Sequence, residues 1–151
     1  MREGLLISEP EKARRLSLLG AMEEEGKVFL PYLEAAYFAE KGEIGGDAEE
    51  FLSLAQKSDP YAPEKYLVLK QLRNSGYIVR CGEGADFLRA YKKGIRVGED
   101  RTTSIIRTLR KSDSPDLRAD LKLAGRMRKE LVYAFVGEKI EFVKAVRINF
   151  D

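Results

Sequence analysis

Six consecutive apolar residues, Leu131-Val132-Tyr133-Ala134-Phe135-Val136, follow a helical pattern and stop at Gly137. A strand with no polar alternate positions is one buried on both faces, which requires cover on either side of a sheet. The segment before it places Leu117, Leu121, Ala124 and Arg128 on one side of a helix that Ser114-Pro115 opens. The segment after it, Ile140 to Phe150, reads as a last strand. A helix between strands and a doubly buried strand together specify a mixed α/β fold.

The same reading extends upstream. Pro63 to about Asn74 repeats Tyr66, Leu69, Leu72 and Arg73 at helical spacing, and Ser75-Gly76 ends the helix. Tyr77 to Arg80 and Asp86 to Tyr91 form a strand pair around Gly82 and Gly84, and Thr103 to Leu109 is β-rich. The order for this half is α-β-β-β-α-β-β. Before it, Leu5 to Ile7 and Val28 to Leu30 read as short strands. A helix from Glu9 to Leu19 is capped by Ser8, another follows Pro31, and a third is capped by Asp47. Lys57-Ser58-Asp59-Pro60 is the linker. A small helix-rich domain, 1–60, thus precedes a mixed-sheet domain, 61–151. The charge changes sign at the boundary: residues 1–60 carry 7 basic and 13 acidic side chains, and residues 61–151 carry 20 and 12. Either the basic half faces a polyanion, or the charges steer the two halves together.

Several chemistries are excluded by residue type. The chain has no His, which removes the commonest general acid at neutral pH and the commonest metal ligand. No cofactor or metal is expected. Cys81 stands alone and reads as a small residue in a buried strand of a protein from a reducing compartment. The N-terminus has no secretion-type apolar core, and no apolar run suits a membrane span, so a cytoplasmic location is expected. Only two Asn and two Gln occur beside abundant Lys, Arg and Glu, a thermophilic bias.

Tyr66…Leu72-Arg73…Gly76-Tyr77-Ile78-Val79…Gly82…Asp86-Phe87 and Leu123-Ala124…Arg128-Lys129…Leu131-Val132-Tyr133-Ala134 resemble the C-terminal catalytic domain of the archaeal tRNA-splicing endonucleases, the tRNA-intron endonuclease family. Gly26 to Pro31, with Glu34-Ala35-Ala36-Tyr37 and Lys41-Gly42, resembles that family's small N-terminal domain. The resemblance implies a restriction-endonuclease-like fold for the second domain. It also implies metal-independent cleavage of precursor tRNA at bulge-helix-bulge sites, leaving 2′,3′-cyclic phosphate and 5′-hydroxyl ends.

Such chemistry needs a base for the 2′-hydroxyl, an acid for the leaving 5′-oxygen and a cation for the charged transition state. In the family a Tyr, a His and a Lys take these parts. Carried over by resemblance, they fall on Tyr91, on Thr102 and on Lys129. A threonine hydroxyl does not titrate near neutral pH, so none of the three is expected to function. Lys129 reads better as a cation in the last turn of a helix, favoured by the helix dipole, than as a surviving catalytic group. The resemblance therefore implies the noncatalytic structural subunit of a heterotetramer, partnered by a catalytic subunit, two of each chain.

Assembly in the family uses strand pairing at the C-terminus and an acidic loop before the last strand. Here these are Phe142, Val146 and Ile148, and Glu138 with Glu141 beyond it. A strand buried in the chain's own core would show the same apolar residues. Lys92, Lys93 and Arg96, in the turn KKGIRVG, are the candidate RNA contacts. Two rival readings stand beside this one: an active nuclease using Tyr91 and Lys129, and a stand-alone basic RNA-binding protein built around Arg89, Lys92, Lys93, Arg96 and Arg101.

Overall fold

A computed structural model describes residues 3–82, 86–91 and 103–150. The smaller sheet joins β1 (Gly4–Ile7), β2 (Glu23–Glu24) and β3 (Lys27–Pro31) in the order β1-β3-β2, all antiparallel. The helix α1 (Pro10–Leu18) lies between the first two strands in sequence, and α2 (Tyr32–Glu40) and α3 (Ala48–Ser58) follow β3. Next come α4 (Ala62–Asn74), β4 (Val79–Cys81), β5 (Phe87–Ala90), β6 (Ser104–Arg110), α5 (Leu117–Met127), β7 (Glu130–Val136) and β8 (Ile140–Ala145). These five strands make one sheet in sequence order. Only β6 and β7 run parallel, and they are the pair that α5 connects, since parallel neighbours need a crossover.

The apolar run 131–136 accounts for the layering. Ala134, with Leu88, Ile106 and Val79, packs against Tyr66, Val68 and Leu69 of α4 and against Tyr37 and Ala55 of α2 and α3. Leu131 and Tyr133, with Phe87, Ile105 and Leu109, pack against Ala124 of α5 on the opposite face. Alternation along β7 therefore feeds two cores, and every position from Leu131 to Ala134 must be apolar or partly so. The apolar face of α1 closes a third cluster with Val28, Leu30 and Phe38.

The predicted helices are all present, with shifted ends. Ser8 is not the cap of α1: the chain enters the helix at Glu9 without a side-chain cap, and Pro10 fills the first turn. Asp47 does cap α3, accepting from the Glu49 amide at 3.0 Å. The helix α5 opens at Leu117 with Asp116 as its cap, because Asp116 reaches the Ala119 amide at 3.1 Å. At the end of α4, Gly76 takes φ 94°, the left-handed geometry its position calls for. The strand β2 was not foreseen. It pairs through the two-residue turn Glu25-Gly26, in which both residues have positive φ, the geometry of a tight hairpin.

A buried ion pair links the two halves. Glu34 of α2 and Arg73 of α4 meet at 3.0 Å, each side chain 4% exposed. Arg73 also donates to the Val79 carbonyl at 2.6 and 3.0 Å, and to Leu19 at 3.3 Å. Glu34 accepts from the Cys81 amide at 3.2 Å. Burial raises the Glu34 carboxyl above its ordinary value, opposed by Arg73 and the Cys81 amide. Cys81 lies on β4, and burial, then the nearby Glu34, pushes its thiol well up.

A second junction fastens the segment between α3 and α4. Arg110 stacks on Tyr61 at 4.3 Å and donates to Glu64 and to the Pro60 carbonyl. The Tyr61 hydroxyl donates to Asp113 at 2.7 Å and the Arg110 amide does so at 2.8 Å. These two bonds hold the Asp113 carboxyl below its ordinary value.

Two expectations follow from these junctions. Arg73→Ala leaves a buried carboxylate without its counter-charge and should lower unfolding stability by about 3–5 kcal/mol. Replacing the pair together, Glu34→Leu with Arg73→Met, should cost less than the single change; a double variant no more stable than Arg73→Ala in urea unfolding would reject this account. Because the folded value of Asp113 is depressed, its contribution is complete above the ordinary carboxylate range. It disappears as pH falls through that lowered value. Melting temperature against pH should accordingly fall less steeply on the acid side in Asp113→Asn than in the parent.

Candidate functional site

Strand register brings two of the three family positions, Tyr91 and Lys129, into one row with Thr103. Ala90 of β5 pairs with Ser104 of β6, and Ser104 pairs with Glu130 of β7. The strand β5 runs antiparallel to β6 and β7 runs parallel to it, so the exit of β5 meets the entries of β6 and β7. The residues one step outward are Tyr91, Thr103 and Lys129. Hydrogen bonds continue the ladder across this row: the Thr103 amide donates to Ala90 at 2.8 Å and the Glu130 amide to Thr103 at 2.8 Å. Thr102 lies outside the described residues, as do Lys92, Lys93, Arg96 and Arg101.

Each side chain in the row has a local cause. Tyr91 is 8% exposed, and its amide donates to the Ile78 carbonyl at 3.0 Å, fastening it to the edge next to β4. Its hydroxyl accepts from Arg80 at 3.3 Å, and the Arg80 guanidinium sits 5.4 Å from its ring centre. Arg80 donates in turn to the Gly20 carbonyl at 2.8 Å. Tyr91 is thus joined, through Arg80, to the segment that leaves α1. Sequence reading missed Arg80, because its partner carbonyl lies 60 residues away and no local spacing marks it.

Lys129 does not sit in the last helical turn, as expected from sequence. The helix α5 ends at Met127, Arg128 turns left-handed at φ 57°, and the Lys129 amide closes the helix on the Ala124 carbonyl at 2.9 Å. Lys129 is half-buried and leads directly into β7. Thr103 donates its hydroxyl to the Ala90 carbonyl at 3.4 Å, a long contact. The row therefore holds a phenol, an aliphatic hydroxyl and an ammonium. It can supply a cation and a hydrogen-bond donor, but it holds no imidazole. Among the described residues no cluster of three or more Cys, Asp or Glu is arranged to hold a metal ion.

The opposite margin of the sheet is open. The strand β8 pairs with β7 on one side only. It stops at Ala145 instead of running to Phe150, because Leu131, the partner of Ala145, is almost the first residue of β7. Phe142 shares the face of its partner Ala134, and Val143 the face of Tyr133. Both are more than a third exposed, and beyond the strand Val146 and Ile148 are 60% and 65% exposed. These side chains are not part of this chain's core. Glu138 is exposed in the turn between β7 and β8. That turn borders a groove of about 280 Å³, with Leu67 and Lys70 of α4 on its other wall.

Comparison with known proteins agrees with this geometry. The family described as tRNA intron endonuclease, catalytic C-terminal domain, matches residues 62–143. The tRNA-splicing endonuclease of Pyrococcus furiosus is 36% identical, covering 92% of each chain. That of Methanothermobacter thermautotrophicus is 33% identical, covering 91% of this chain and 87% of its own. That of Thermococcus kodakarensis is 32% identical over 80% of both. With the α-β-β-β-α-β-β order, the row at the strand ends and these matches in hand, the chain belongs to the tRNA-splicing endonuclease family.

Proposed function

We propose that this chain is the structural, noncatalytic subunit of a tRNA-splicing endonuclease. It assembles with a catalytic subunit, two of each, into the complex that excises introns from precursor tRNA at bulge-helix-bulge sites in the cytoplasm. The observation that carries the reading is the complete absence of His from the sequence. The general acid is missing from the family's set, of which the sequence keeps Tyr91 and Lys129. Loss of one acid/base partner lowers a rate by about 10²–10⁴-fold. The engagement of Tyr91 by Arg80 supports the same conclusion, since its hydroxyl is tied into the joint between the two halves. The exposed apolar residues of β8 and its continuation supply the surface for subunit pairing, and Glu138 the anion for docking on a neighbour. Lys92, Lys93 and Arg96 are retained as RNA contacts of the basic half.

The row itself favours a second reading, an active nuclease that uses Tyr91 and Lys129 with another acid. One assay separates them. The purified chain alone should not cut a bulge-helix-bulge RNA, whereas the chain reconstituted with a catalytic subunit should. Lys129→Ala should leave the rate of the assembled complex almost unchanged. A loss of about 10²-fold or more, or cleavage by the isolated chain at the rate of the complex, would move the chemistry into this subunit.

Assembly is tested separately. Phe142→Asp and Val146→Asp should each abolish association in gel filtration while leaving the far-ultraviolet circular dichroism and melting temperature of the chain intact. An added carboxylate costs several kcal/mol in an apolar interface and little on a wet surface. Parallel loss of folding and of association would return these residues to the chain's own core.

A further inference from the structure

The helix α5 has two faces with opposite assignments. Inward, Asp120 and Ala124 are buried, and Asp120 accepts two bonds from Arg107 at 2.8 and 2.9 Å and one from the Tyr133 hydroxyl at 2.8 Å. Outward, Arg118, Lys122 and Arg126 are all exposed and recur every four residues. At about 1.5 Å of rise per residue, neighbours in this line stand roughly 6 Å apart along the axis, commensurate with successive phosphates of one nucleic-acid strand. The helix's single acidic residue, Asp120, is on the buried side, and Asp116 is occupied as the cap. No carboxylate on the helix neutralises the line.

Three further observations give the line a direction and a partner. First, Arg73, Arg80, Arg107 and Arg110 are held internally, each bonding within the chain. Among the described residues, Arg118, Lys122 and Arg126 engage no such partner. Second, Ala119 and Gly125 flank the line, and nothing lies within 4 Å of where a Cβ on Gly125 would stand. The relief is low, and a polymer backbone can approach the cations closely. Third, α5 covers the face of the sheet opposite α4 and the acidic first half, and it ends at Arg128 and Lys129 beside the strand-end row.

We propose that the outer face of α5 is a phosphate-binding track that carries one strand of the precursor RNA toward the row formed by Tyr91, Thr103 and Lys129. This rests on the reading of the chain as a subunit that acts on precursor tRNA. The track reads charge and spacing, not base sequence, as phosphate contacts do.

The test uses the native assembly, isolated through this chain, and a synthetic bulge-helix-bulge RNA as probe. The triple variant Arg118→Ala, Lys122→Ala, Arg126→Ala is compared with a triple control on the first half, Lys12→Ala, Arg14→Ala, Lys27→Ala. Each lost phosphate contact should reduce the slope of log affinity against log salt by about 0.7–0.9. The α5 variant should therefore bind more weakly with a slope lower by about 2–3, while the control keeps the parental slope and both keep their subunits in gel filtration. A parental slope in the α5 variant overturns the proposal. So does loss of the companion subunit from that variant, which would make the line a surface for an acidic protein. Equal falls in both variants would reduce the effect to net charge and overturn it as well. Cleavage by the isolated chain would sink the noncatalytic reading alone, because the salt slope is the same measurement whichever subunit cuts.

Discussion

Glu34 and Arg73 form the contact on which the arrangement of the two halves depends. Arg73 alone bonds to α2, to the residue leaving α1 and to the start of β4, while Glu34 reaches the amide of Cys81. The guanidinium also lies over the rings of Tyr37 and Phe38, at 5.2 and 5.0 Å. Two charges removed from water are costly unless every donor and acceptor is matched, and here the matching groups come from four different segments. The pair is satisfied only when α2, α4, β4 and the end of α1 are all in place. That requirement favours one relative arrangement of the halves over the many that apolar packing alone would permit.

Arg80 extends the same logic to the edge of the candidate site. It bonds to Gly20 on one side and to Tyr91 on the other, so the phenol is held by the joint between the halves. A side chain held this way is well placed to support the fold. The row at the strand ends is equally a product of pairing: Tyr91, Thr103 and Lys129 stand together because Ala90, Ser104 and Glu130 are in register. Such a row persists for as long as the sheet does, whether or not its side chains retain any chemistry.

Much of this was legible in the residues. The apolar run 131–136, the break at Gly76 and the helical spacing of 66–73 fixed the order of elements in the second half, because each is a strong local signal. The hairpin at Glu23–Glu24 was not legible: three consecutive glutamates resemble a solvated loop, and only the left-handed turn at Glu25-Gly26 makes them a strand. The end of β8 was overrun because apolar residues continue to Phe150 while the partner strand does not. For the site, the positions came from likeness to a family, and the geometry that unites them came from register. Glu34, Arg73 and Arg80 act across distances in sequence that no local pattern reveals. The cations of α5 were visible as residues, but their common outward face required knowing which side of the helix meets the sheet.

The unpaired margin of β8 has a consequence for how much of this chain a cell can hold. Phe142 and Val143 are exposed on opposite faces of the strand, and only Glu141 and Lys144 interrupt the apolar character there. A free edge of this kind is a template for any extended segment it meets. Copy number then becomes a structural variable: wherever the edge stays uncovered, encounters between copies, and mispairing with them, rise with concentration.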